Sequence, residues 1–194
     1  MRHQTTHVIG LRRKRQGKTN YRKRLGLLKS GKPRLVIRIT NRDTIAQIIR
    51  FEPAGDRIIV AKNAKALQKA GWKYSTGNVV SSFLIGLALG SAALQQGIKE
   101  AVLDIGLKPS VKASRTYACL KGVLKAGVQV PHDPSVLPSD GRVLGEHIVT
   151  FMQQAHKDAG RFTHQFASLS KGGMSPAQFS ADVKELMQKL VRGK

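Results

Sequence analysis

The chemistry most densely written into this sequence is cationic. Arg12, Arg13, Lys14, Arg15, Lys18, Arg22, Lys23 and Arg24 crowd into thirteen positions, and no acidic residue precedes Asp43. Arginine offers planar, two-pronged donors that match phosphate oxygens. A block of one sign also repels itself over distances shorter than the ~8 Å screening length of physiological salt. The segment is therefore expected to stay extended until a polyanion neutralises it. An anionic membrane is the poorer partner, because Arg12 to Arg24 lacks the Trp, Phe and Leu face of an interfacial helix.

Other reactive residues lack company. Asp104 ends an apolar run, where a metal-dependent nuclease would carry a ligand, but such a site needs several convergent carboxylates. Asp43, Asp56 and Glu100 are the candidates, and Asp43 and Asp56 fall in turn sequences. Asp104 is expected instead to accept hydrogen bonds from loop amides near Lys108 or Lys112. The six histidines show no metalloprotease motif. Cys119 lies on an apolar helix face and reads as a buried, inert thiol. Gly17-Lys18-Thr19 imitates the end of a phosphate-binding loop, yet Arg12 stands where its leading glycine is required. The residues point to binding rather than catalysis, with no catalytic residue, metal, cofactor or small-molecule substrate expected.

The elements that must position these residues follow from patterning. Lys32-Pro33 breaks the arm, and Arg34 to Thr40 reads as a strand with Leu35, Ile37 and Ile39 on one face and Arg34, Val36 and Arg38 on the other. Asn41-Arg42-Asp43 turns into a strand from Ile45 to Phe51, and Pro53-Ala54-Gly55-Asp56 turns into a third from Arg57 to Ala61. Short turns between consecutive strands imply an antiparallel meander. Asn63 caps a short helix ending before Gly71, and Asn78 or Thr76 caps a long apolar one stopping near Gly97.

No residue from Tyr74 to Ile98 is charged, but the apolar stretch Val79 to Leu94 falls short of the ~20 residues that span a bilayer. A buried helix is expected, with Gly86 and Gly90 admitting another backbone closely. Ala101 to Ile105 is a compact strand, and Ser114 caps a helix from Arg115 to Ala126 stopped by Gly127. Beyond Pro131, Pro134 and Pro138, one helix face collects Val143, Leu144, Ile148, Phe151, Met152 and Ala155. Lys171-Gly172-Gly173 reads as a hinge. Ser175-Pro176-Ala177-Gln178 then opens a last helix whose stripe of Phe179, Val183, Leu186, Met187 and Leu190 is expected to pack on the main domain.

The expected fold class is α/β, a mixed sheet that begins with the three-strand antiparallel meander and carries helices packed on it. The expected organisation is a basic extended arm over 1–33, an α/β core over 34–130, a Pro-rich linker over 131–141 and a C-terminal helical extension over 142–194.

Composition narrows the partner. The 194 residues hold 34 Lys and Arg against 11 Asp and Glu, a net charge of +23. A hydrophobic content of 41% excludes general disorder, and an aromatic content of 5% disfavours a binder built on many stacking rings. A single cysteine excludes a disulfide framework and a Cys-rich zinc site. With no apolar run in the first ten residues, a cytoplasmic setting is expected. The charge permits structured RNA or, as in a chromatin-like protein, duplex DNA; the lack of a groove-reading motif favours RNA.

Collinear pieces of the chain carry a family resemblance. They run from Leu11 to Leu25, Ser30 to Val36 and Ile45 to Ile49, through Gly71-Trp72-Lys73, Thr76-Gly77-Asn78 and Ala101 to Leu107. Ser114-Arg115, Leu120-Lys121-Gly122, Lys125-Ala126-Gly127, Val130-Pro131-His132, and Arg142 with Gly145 to Ile148 complete the series. The succession resembles the large-subunit ribosomal protein L-eighteen family of the archaeal and eukaryotic type, which binds 5S ribosomal RNA. Residues 1–10 and 160–194 lie outside the likeness.

The resemblance implies a fold of the translational-machinery type and a structural place in the central protuberance of the large ribosomal subunit. It implies contacts with 5S rRNA, large-subunit (23S-type) rRNA and neighbouring ribosomal proteins, and a part in attaching the 5S RNA. The RNA ligands it implies are Arg12, Arg13, Lys14, Arg15, Lys18, Tyr21, Arg22 and Arg24 in the arm, then Lys32, Arg34, Arg38, Asn41 and Arg42 along the first strand and turn. Tyr21 would stack on a splayed base or sugar, and Asn41 would read a base edge or 2′-hydroxyl. Lys73, Thr76, Asn78, Lys112, Ser114 and Arg115 form a second cluster at helix amino termini. There, free N–H groups attract phosphate, or the same side chains simply cap the helices.

Overall fold

The computed structural model describes residues 9–155 and 176–191. Strands β1 (Arg34–Ile39), β2 (Thr44–Glu52) and β3 (Gly55–Lys62) form the expected antiparallel meander. A short β4 (Val102–Asp104) pairs in parallel with β1, giving a mixed sheet of order β3-β2-β1-β4. The chain reaches β4 through α3 (Ala64–Lys69) and α4 (Val79–Gln95), because parallel pairing requires a long crossover. The period-two pattern separates the two faces: Leu35, Ile37, Ala46 and Ile48 are buried under the helices, and Arg34, Val36 and Arg38 alternate onto the outer face.

Helix α4 explains the uncharged stretch. It packs on β2, β3, α3, α5 (Arg115–Ala126) and the last helix, numbered here α8 (Pro176–Val191), so no side of it can carry a charge cheaply. Among the described residues no helix is long and apolar enough to cross a membrane. Asn78, not Thr76, is its cap: the Asn78 Oδ1 accepts from the Ser81 amide at 2.7 Å. Helix α5 lies against α4 at backbone contact. A Cβ on Gly86 would stand 2.0 Å from the Cys119 carbonyl oxygen, and one on Gly122 would stand 2.1 Å from that of Phe83. Burial in this seam pushes the Cys119 thiol up to about 12, which keeps it protonated and unreactive.

The C-terminal half departs from the expected linker and single helix. Within 131–141, Pro134–Val136 form a 3-10 turn capped by Asp133, Val136 and Leu137 pack on the core, and the Ala113 amide donates to Val136 O at 2.9 Å. Apolar spacing predicts one helix face across 143–155, but Gly145 adopts φ 85° and divides it into α6 (Asp140–Leu144) and α7 (Glu146–Ala155). A Cβ at Gly145 would lie 2.6 Å from the Phe179 ring.

That ring belongs to an aromatic cluster that docks α8. Phe179 meets Tyr74 edge-on at 4.7 Å between centroids and Trp72 at 6.0 Å, while Trp72 and Tyr74 are 5.1 Å apart. The Tyr74 hydroxyl donates to Asp182 Oδ2 at 2.8 Å, and burial, then Asp182, raise its pKa. Phe179, Val183 and Leu186 are buried here, so the apolar stripe packs on the main domain as the sequence leads one to expect. The readings made for residues 1–8, His156, His164 and Lys171-Gly172-Gly173 fall outside the described residues.

The α4–α5 seam yields a stability test. Gly86→Ala should lower the free energy of unfolding by about 3 kcal/mol, since backbone on both sides must move apart. Gly26→Ala, whose Cβ meets nothing within 4 Å, should leave the urea midpoint unchanged or slightly raised. Equal midpoints for the two variants would contradict this account of the seam.

Candidate nucleic-acid interface

The arm is not extended over its described part. It forms α1 (Arg12–Arg15) and α2 (Tyr21–Leu28). Local chemistry supports the second turn of chain: Asn20 Oδ1 accepts from the Lys23 amide at 3.1 Å, closing the amino terminus of α2, and the Arg13 Nε donates to Thr19 Oγ1 at 2.8 Å. Tertiary charge offsets the repulsion, because Arg24 reaches down to Asp56 at the start of β3, 2.9 Å away. Arg12, Arg13, Lys14, Arg15, Lys18 and Arg22 remain exposed, and Tyr21 is half-buried at the start of α2.

Beneath α2, charges of alternating sign form a chain. Arg24 pairs with Asp56, Asp56 with Arg34 at 2.7 Å, Arg34 with Asp104 at 2.8 Å, and Asp104 with Arg38 at 3.1 Å. Parallel pairing of β1 with β4 sets Val36 beside Asp104, so the two strands bring Arg34 and Arg38 to the carboxylate from either side. Asp104 Oδ1 also accepts from the Gly106 amide at 2.8 Å, and Arg38 Nη1 donates to Asp104 O and Ile37 O. The side chain of Arg34 is 4% exposed, and its Nε has no hydrogen-bond partner among the described residues. Arg34 therefore serves as internal scaffold, whereas the resemblance implies it as an RNA ligand. Arg38, with 43% of its side chain exposed, keeps an open edge.

Between α2 and the outer sheet face lies a cleft of about 1000 Å³, with Arg13, Lys18, Lys23, Arg24, Arg38 and Lys108 along its walls. Lys23 and Lys108 are the additions that pattern reading passed over. Lys23 sits within the basic run. Lys108 is brought alongside only because β4 pairs with β1, and its Nζ donates to Ile39 O at 2.8 Å. Lys32 lies apart from the cleft and pairs with Glu100.

The second cluster gathers at one end of the sheet, where β1 and β4 finish and α4 and α5 begin. Asn41 and Arg42 belong here. Thr76 Oγ1 donates to Arg42 O at 2.6 Å, and Arg115 Nη1 donates to Gly77 O at 3.0 Å and Asn41 O at 3.3 Å. Gly77 admits this approach, since a Cβ there would stand 2.7 Å from Asn41 O. Thr76 and Asn78 thus spend their side-chain polar atoms on internal bonds, and Arg115 spends its Nη1 in the same way. Ser114 stands at the amino terminus of α5 without a capping side-chain bond. Asn41, Arg42, Lys73 and Lys112 present exposed side chains at this end.

The acids considered for metal chemistry do not converge. Asp104 faces two arginines and the Gly106 amide, Asp56 faces two arginines, Asp43 accepts from the Ala64 amide at 2.9 Å, and Glu100 pairs with Lys32. The loop amide at Asp104 is that of Gly106 rather than one near Lys108 or Lys112. What this surface offers chemically is a set of fixed and free cations with amide and hydroxyl donors between them, suited to sugar-phosphate.

Comparison with known proteins agrees with this chemistry. Residues 2–100 match the family model described as "Ribosomal large subunit proteins 60S L5, and 50S L18". The "Large ribosomal subunit protein uL18" of Korarchaeum cryptofilum (strain OPF8) is 42% identical over 184 residues, covering 95% of this chain and 94% of that protein. The protein of the same name from Methanothermobacter thermautotrophicus (strain Delta H) is 40% identical over 190 residues, 98% of each chain. These alignments extend the likeness over most of both ends, which the motif resemblance leaves out.

The buried arginine is testable without RNA. Arg34→Gln should cost about 3–5 kcal/mol, because it leaves two carboxylates facing a cavity that held their shared cation. Arg38→Gln should cost about 1 kcal/mol or less, as water reaches that pair. Urea unfolding followed by the single tryptophan, Trp72, reads both, and similar losses would place Arg34 at the surface after all.

Proposed function

This chain belongs to the family of ribosomal large subunit proteins 60S L5 and 50S L18, and from that premise we propose that its basic surface binds 5S ribosomal RNA. It is a structural constituent of the large ribosomal subunit, located on the ribosome with ribosomal RNA and other ribosomal proteins as its partners. The finer reading is that it helps attach 5S RNA to the large-subunit RNA in the central protuberance, with no reaction of its own. One observation carries it: six exposed cations, Arg12, Arg13, Lys14, Arg15, Lys18 and Arg22, flank a cation-lined cleft, with no acidic residue before Asp43.

The roles divide by what each side chain has left to offer. The arm cations, with Lys23, Arg38 and Lys108 in the cleft, neutralise phosphates, and Tyr21 offers a ring face to a splayed base. Asn41, Arg42, Lys73 and Lys112 form a second contact at the far end of β1. Thr76, Asn78 and Arg115 hold the loops and helix ends that present them. Arg34 supports the sheet beneath.

Salt dependence reads this directly. If about 6–10 phosphates are contacted, affinity for 5S RNA should fall about a thousandfold or more between 50 and 200 mM salt. Replacing Arg12, Arg13, Lys14 and Arg15 by Gln should reduce the slope of log K against log salt by about 3 while circular dichroism stays unchanged. Folded 5S RNA should also outcompete duplex DNA of equal length. A flat salt response, or parity with duplex DNA, would overturn the reading.

A further inference from the structure

In a protein with 34 basic and 11 acidic residues, the position of each acid near the arm is informative. Asp56 sits near the start of β3, opposite Phe51 of β2, and holds one arginine with each oxygen: Oδ2 takes Arg34 and Oδ1 takes Arg24. The two contacts differ in kind. Arg34 is buried and has Asp104 as a second partner, so its bond to Asp56 belongs to the scaffold. Arg24 and Asp56 are 30% and 25% exposed, and this is the ion pair that ties α2 to the sheet among the described residues.

We propose that Asp56 stands in for an RNA phosphate in the free protein, holding α2 closed over the cleft until a phosphate of bound RNA takes Arg24 from it. The inference rests on the RNA-binding reading above and adds its regulation. A carboxylate and a phosphate present the same two-oxygen edge to a guanidinium. A partly exposed pair is weak and yields easily, whereas a phosphate entering between Arg13, Lys18, Lys23, Arg24 and Lys108 meets several cations at once. The exchange keeps Asp56 neutralised, because Arg34 stays with it.

Two measurements on the full-length protein decide the matter. Amide hydrogen exchange across residues 21–28 should quicken about three- to fivefold in both Asp56→Asn and Arg24→Gln, and the Arg24 variant leaves the buried Arg34 pairs untouched. In filter binding with a 5S RNA transcript, Asp56→Asn should bind about three- to fivefold more tightly than Glu185→Gln, a charge-matched change on α8. Arg24→Gln should bind more weakly than wild type because its phosphate ligand is gone. Unchanged exchange in the Arg24 variant, or equal binding by the Asp56 and Glu185 variants, would refute the latch. Should the wild-type protein itself not bind 5S RNA, the RNA-binding reading fails first, and the exchange data still report on the latch contact.

Discussion

A guanidinium with 4% of its side chain exposed cannot persist without anions beside it, and that requirement organises this molecule around Arg34. Its two partners come from different places: Asp56 from the start of β3, and Asp104 from the end of β4. Neither is near Arg34 in sequence, so the pairs form only when the meander is closed and β4 has docked beside β1. Arg24 and Arg38 then attach to the outer ends of the chain, which joins the arm, the hairpin and the parallel strand pair through one set of contacts. Asp43 caps toward α3, and Asp182 receives the Tyr74 hydroxyl, so these acids are likewise used inward.

The consequence is a separation of charge that a net +23 makes necessary. With these carboxylates engaged in internal structure, the remaining surface is left cationic where α1, α2 and the loop cluster face outward. The interior meets the same constraint from the other side. Helix α4 carries no charge and is enclosed by sheet and helices, and the glycines at its seam with α5 draw two backbones to within van der Waals reach. A dense apolar centre of this kind opposes the self-repulsion of the periphery. The aromatic cluster of Trp72, Tyr74 and Phe179 fastens α8 to that centre.

Much of this was legible one segment at a time. Alternation of Leu35, Ile37 with Arg34, Val36 and Arg38 located β1 and its two faces, and Asn63, Asn78 and Gly127 marked helix ends where side-chain or left-handed caps occur. Asn20 was an equally good cap signal, but the repulsion expected along Arg12 to Arg24 obscured it. Periodicity ran 143 to 155 together because one glycine's φ is invisible to apolar spacing. The resemblance named candidate ligands that the structure distributes between the cleft, the far end of β1 and the interior, and it did not separate those facing solvent from those holding the frame.

That division marks the boundary between the two levels. Local patterning by itself determined the strands and most helices, the uncharged central helix and the excess of cations before Asp43, since these depend on neighbours within a few residues. Which arginines point outward was decided only in three dimensions. Arg34 and Arg12 are the same residue type, and their fates differ because Asp56 and Asp104, 22 and 70 positions along the chain from Arg34, both come within hydrogen-bonding distance of Arg34.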